Sequence, residues 1–207
     1  MQRLRRASEV PPGTNAILQA IDPSGATVGS YVVPGHDAHV RVLNPAFLKD
    51  GECVHWGGPR PGEYYSNFQW AGQAVEFSLE DEPPATGTVA KEVVHALLNH
   101  LPASSCVSVA QWEGYADTPL SRKLPWVTFP PGRRSAVWSM PIHQLSDSDR
   151  VPMRWWHPAL GWSVGNDIYA RSVFVSGPRS LTKALLEDPS IEAYSVLPTD
   201  PIAAEDL

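Results

Sequence analysis

Gly161-Trp162-Ser163-Val164-Gly165 spells G-x-S-x-G, the pattern that sets a nucleophilic serine on a sharp turn between a strand and a helix. That chemistry needs a helix directly after the serine and, in chain order, an acid and then a histidine. Here a β-rich run ending in Ser172-Val173-Phe174-Val175 follows, and no histidine lies beyond Ser163. The serine is therefore expected inside a strand, without a triad. His36-Asp37-Ala38-His39 offers three potential metal ligands in four residues, but a zinc site needs three or four in tetrahedral reach. On a strand the two histidines face opposite ways, so a turn with solvated histidines is expected, with no metal and no cofactor.

The remaining chemistry lies in carboxylates beside aromatic rings. Trp112, Glu113, Asp167 and Tyr169 can edge a groove, and with Tyr115, Trp155 and Trp156 they form the candidate binding set. Such a set suits a basic or polar partner, or acid–base work if burial shifts a pKa; no catalytic residue is assigned. Asp167 is the residue least explained by packing. Two small-residue strand faces accompany it, Cys106-Ser108-Ala110-Trp112 and Ser163-Gly165-Asp167-Tyr169. Layered α+β packing predicts that helices cover both.

The elements that must position these residues are short, because 21 prolines and 15 glycines punctuate the chain. Residues 14–20 and 26–33 are expected to pair as a β-hairpin about Asp22-Pro23-Ser24-Gly25. Alternation predicts strands at 38–43, 106–112, 126–129, 135–140, 162–169, 172–176 and 191–197, with a further short one at 53–56. Three- and four-residue apolar steps predict helices over 88–101, capped by Thr86 or Thr88, and over 178–186, with Pro178 in its first turn. Tyr64, Tyr65, Phe68 and Trp70 read as a satellite core under a long loop or as a recognition surface. The fold class is thus α+β: a mainly antiparallel sheet of several short strands with two short helices packed on it. One domain over 1–207 is expected, with flexible ends at 1–12 and 199–207.

Composition narrows the function classes. The 207 residues are 43% hydrophobic and 18% charged, a globular balance able to bury a core without staples. The net charge of −6 and scattered arginines argue against nucleic acid as a partner. No apolar run suits a secretory segment or a membrane span, so the cytoplasm is the expected location. Cys53 and Cys106 are too few for a disulfide framework and are expected as free thiols, with a single bridge as the alternative.

Arg41-Val42-Leu43-Asn44-Pro45-Ala46, Cys106 to Gly114, Trp155-Trp156, Trp162 to Ile168 and Leu185 to Glu192 together make the chain resemble a family of uncharacterised actinobacterial proteins of similar length. The likeness spans most of the chain and implies an intact single domain in a bacterial cytoplasm, with no mechanism attached. It departs from the family's pattern at Asn44, where relatives tend to carry His, and at Ser163, where they tend to carry Cys. Both departures weaken a catalytic reading of those positions. The functional expectation is a non-enzymatic, tryptophan-rich protein-binding domain, of immunity or regulatory type, presenting an acidic, Trp-bearing surface. The alternative is a small enzyme or small-molecule binder using a groove near Glu113 and Asp167.

Overall fold

The computed structural model describes residues 9–54, 84–102, 106–115 and 124–202. The cluster Tyr64 to Trp70 lies outside them. The central feature is an eight-stranded sheet in the order β10-β1-β9-β8-β7-β4-β6-β5. Its strands are β1 (Ala38–Leu43), β4 (Cys106–Trp112), β5 (Trp126–Phe129), β6 (Arg133–Pro141), β7 (Arg154–Trp156), β8 (Ser163–Gly165), β9 (Ser172–Gly177) and β10 (Glu192–Ser195). Every pairing within it is antiparallel. β2 (Ala46–Phe47) and β3 (Cys53–Val54) make a separate small ladder. The helices among the described residues are α1 (Thr14–Ala20), α2 (Lys91–His100), α3 (Gln144–Asp147) and α4 (Arg179–Leu186), four rather than the two expected.

Register explains the layers. Paired residues in an antiparallel sheet share a face, so Trp138, Val109, Trp155, Val164, Val175 and Val40 form one apolar row across six strands. On this face α2 and α4 bury Val93, Val94, Leu97, Leu181 and Leu185, the main core. Each such side chain contributes about 1.5–3 kcal/mol. The next row faces the other way: Ser108, Trp156, Ser163, Ser176 and His39, and beside it Ala110, Arg154, Gly165, Phe174 and Arg41. The two small-residue faces are thus one continuous face.

α2 and α4, the helices expected there, do not cover it; the N-terminal segment with α1 does. Ile17 of α1 and its C-cap residue Ile21 pack with Ala110, Phe129, Val137 and Trp156, while Val28, Tyr31 and Val32 pack on Phe174. The Ser108 hydroxyl and the Trp156 indole N–H both donate to Pro12 O, at 2.9 and 3.0 Å. The expected hairpin is therefore replaced by α1 and a 3-10 turn at Val28–Ser30. Its physical reason is that Ile17 and Ile21, four apart, supply one helical apolar face. Residues 26–28 are joined to residues 200–202 as well: Val28 N donates to Asp200 O and Ile202 N to Ala26 O, each at 3.0 Å.

Other boundaries moved for local reasons. α2 begins at Lys91 because Asn44, fully buried, accepts from Ala90 N at 2.9 Å and donates to Ala85 O and Thr88 O at 2.7 and 2.9 Å. That side chain, rather than Thr86 or Thr88, secures the helix start. Pro178 stands at the N-cap of α4, one position earlier than the first turn. The expected strand over 162–169 shortens to Ser163–Gly165, because Asn166 and Asp167 use their side chains in a turn. Cys53 and Cys106 form no disulfide bond. No helix among the described residues is long and apolar enough to cross a membrane.

Candidate functional site

Where the N-terminal cover stops, the sheet's small-residue face ends in a cluster built from β4, β6 and the turn after β8. Asn166 and Asp167 shape that turn: Asn166 Nδ2 donates to Ser172 O at 2.7 Å, and its Oδ1 accepts from Asp167 N at 2.8 Å. The Asp167 carboxylate accepts from Tyr169 N at 3.3 Å and takes Nε and Nη2 of Arg133 at 3.1 and 3.2 Å. Its side chain is 0% exposed, against 27% for Arg133. This two-pronged bond is the strong form of the carboxylate–guanidinium contact. It holds the Arg133 pKa above its ordinary value, with burial opposing.

Arg133, so held, lies against two aromatic rings. Its guanidinium carbon is 5.3 Å from the Tyr169 ring centre and 5.8 Å from that of Trp112. Trp112 meets Tyr115 edge-on at 5.5 Å, and the Tyr115 hydroxyl lies 2.8 Å from Gly87 O and 3.3 Å from Ile168 O. Gly87 has φ +68, and a Cβ there would sit 2.2 Å from Ile168 O, so only glycine lets this strap close. Beside it, Arg134 pairs with Glu113 at 2.8 Å and covers Trp126 at 4.8 Å. Trp112, Glu113, Tyr115, Asp167 and Tyr169 are therefore brought near one another.

Two candidates fall elsewhere. Trp155 and Trp156 are fully buried, Trp155 edge-on to Trp162 in the helix-side core and Trp156 under α1. They are core residues because β7 is a central strand covered on both faces. Arg133 and Arg154 were not singled out from sequence. Arg154 stands in register between Ala110 and Gly165, whose small size leaves room for its guanidinium to lie across the sheet. Burial lowers its pKa to about 10. Only the register, invisible in sequence, marks it.

The other motifs resolve into structure. Ser163 lies in β8, 2.8 Å from the Ser176 hydroxyl, which in turn is 2.9 Å from His36 Nδ1; His36 Nε2 contacts Leu160 O at 2.7 Å. Both serines are buried, so this chain of hydroxyls has no access to a substrate. The histidines are not solvated as expected. His36 is half-buried and His39 buried, because both close over Ser176 at the sheet end. No group of three metal-ligating side chains forms among the described residues.

His39 Nδ1 is buried without a hydrogen-bond partner, and burial first, then the neighbouring His36, lowers its pKa. The folded protein thus holds His39 neutral, while the unfolded chain takes up a proton near its ordinary value of about 6.5. Stability is expected to be intact above that value and to decline as pH falls below it, at up to about 1.4 kcal/mol per pH unit. Urea unfolding at pH 7.5, 6 and 5 measures the slope. His39→Gln is expected to flatten it, and an unchanged slope would assign it to other groups.

No protein family model, curated protein or solved structure matches this chain.

Proposed function

We propose that the chain is a non-enzymatic, cytoplasmic protein-binding domain, of immunity or regulatory type toward another bacterial protein, and that Trp112, Tyr115, Arg133 and Tyr169 form its contact face. One observation carries the reading. Tyr169, 53% exposed, rests on an arginine that a fully buried aspartate has already fixed. Trp, Tyr and Arg dominate the energetics of protein interfaces, and side chains ordered in advance lose little entropy on binding. Charge on this face is paired, Arg133 with Asp167 and Arg134 with Glu113, so it suits an aromatic, hydrogen-bonding partner surface rather than a strongly basic one.

The candidate acids support binding over catalysis. Asp167 is occupied by Arg133 and Glu113 by Arg134. The cavity behind this face holds about 20 Å³, far below the several hundred Å³ that enclose a typical organic ligand. The test is quantitative capture from a lysate of the source organism, comparing the wild type with a W112A/Y169A variant. A partner using this face is expected to fall at least about tenfold, the loss of one interface hot spot.

A further inference from the structure

Arg154 is the most deeply buried cation among the described residues, and its surroundings are unusual for one. Two rings lie against the guanidinium, Tyr31 at 4.7 Å and Phe129 at 4.9 Å. Nη1 donates to Ser30 O at 3.1 Å and Nη2 to Pro130 O at 3.0 Å. Those two neutral carbonyls are its hydrogen-bond acceptors among the described residues, for a group with five N–H donors. Among the described residues no carboxylate stands within ion-pair distance; the neighbouring one, Asp167, is bound through both oxygens by Arg133. A buried charge without a counter-ion is costly, and buried charges are ordinarily paired.

A cavity of about 20 Å³ lies against this cation. Gln111, Ser135, Asn166 and Asp167 line it beside Arg133 and Arg154, so its wall carries two positive charges and one negative. We propose that this cavity binds a small carboxylate anion, of formate or acetate size, as the missing counter-ion of Arg154. Three features select that class. The unused N–H donors of an arginine match the two oxygens of a carboxylate. The volume admits a group of a few atoms and excludes a sugar, a nucleotide or a phosphate ester. The positive excess favours an anion, and the Asp167 charge is already neutralised. Rings and backbone fix the guanidinium in place before the ligand arrives, so little ordering opposes binding.

The experiment uses the full chain in a sulfate buffer free of other small anions. Sodium formate is titrated while the Nε–H resonances of Arg154 and Arg133 are followed by NMR and the thermal midpoint is recorded. The expected result is a saturable shift of the Arg154 resonance, half-complete below about 10 mM, with a parallel rise in the midpoint and a smaller response from Arg133. R154K, which keeps the charge and loses the fork, is expected to weaken the response at least about tenfold. If R154K fails to fold, the wild-type titration decides alone. A shift that grows linearly with ionic strength, or no shift at Arg154, overturns the proposal. Chloride acting as well as formate overturns the carboxylate assignment.

Discussion

Gly165→Ala is expected to cost about 3 kcal/mol and to loosen the N-terminal segment from the sheet. A Cβ at this position would sit 2.5 Å from the carbonyl oxygen of Tyr31 and 3.4 Å from its carbonyl carbon. The obstacle is backbone rather than the end of a flexible side chain, so the segment itself must move. Tyr31 carries the ring over Arg154, and the residue before it, Ser30, supplies one of that arginine's two carbonyl acceptors. Moving them exposes a buried charge and opens the packing of Val28 and Val32 on Phe174. Denaturant unfolding measures the loss. Limited proteolysis distinguishes its place: cleavage is expected to accelerate within residues 14–33 and not in α4. A variant as stable as the wild type would mean that the cover is not held by this close approach.

Asp167→Asn is expected to cost about 3 kcal/mol as well, for an electrostatic reason. The substitution keeps the shape and removes the charge that holds Arg133, leaving the guanidinium against Trp112 and Tyr169 without its anion. The partial exposure of Arg133 places the cost at the lower end for a buried pair. R133M is expected to destabilise similarly by stranding a buried carboxylate. The double variant should lose less than the sum, with a coupling of about 1–3 kcal/mol. Simple additivity in a double-mutant cycle would show that the two residues do not act as a unit.

What could be read from sequence follows the reach of each signal. β1 and β4 appear with the expected ends because alternation is a local property, terminated in β1 by Asn44-Pro45. α2 and α4 were legible for the same reason. The hairpin expected over 14–20 and 26–33 is absent because the turn signal at Asp22 to Gly25 outweighs, in sequence, the spacing of Ile17 and Ile21. That turn exists locally, with Ser24 N donating to Asp22 Oδ1 at 2.9 Å, but it joins a helix to a 3-10 turn rather than two strands.

The site shows the same division. Asp167 stood out because packing could not explain it, and it proved to be the buried anchor of the aromatic face. Trp112 and Tyr169 meet it through Arg133, and Tyr115 through its contacts with Trp112 and Ile168 O. Trp155 and Trp156 do not, since two adjacent strand residues point to opposite faces and here both faces are covered. Arg133 and Arg154 carried no local mark. Their roles arise from cross-strand register, Arg154 between Ala110 and Gly165, and from a turn reached far along the chain.

The proposed contact face for another protein consists of Trp112, Arg133 and Tyr169. Quantitative capture by the wild type, by W112A/Y169A and by a control variant, K183A, on the exposed side of α4, tests it most directly. At least one protein enriched by the wild type and by K183A is expected to fall about tenfold or more with W112A/Y169A, while that variant remains folded. Equal enrichment by all three would contradict it.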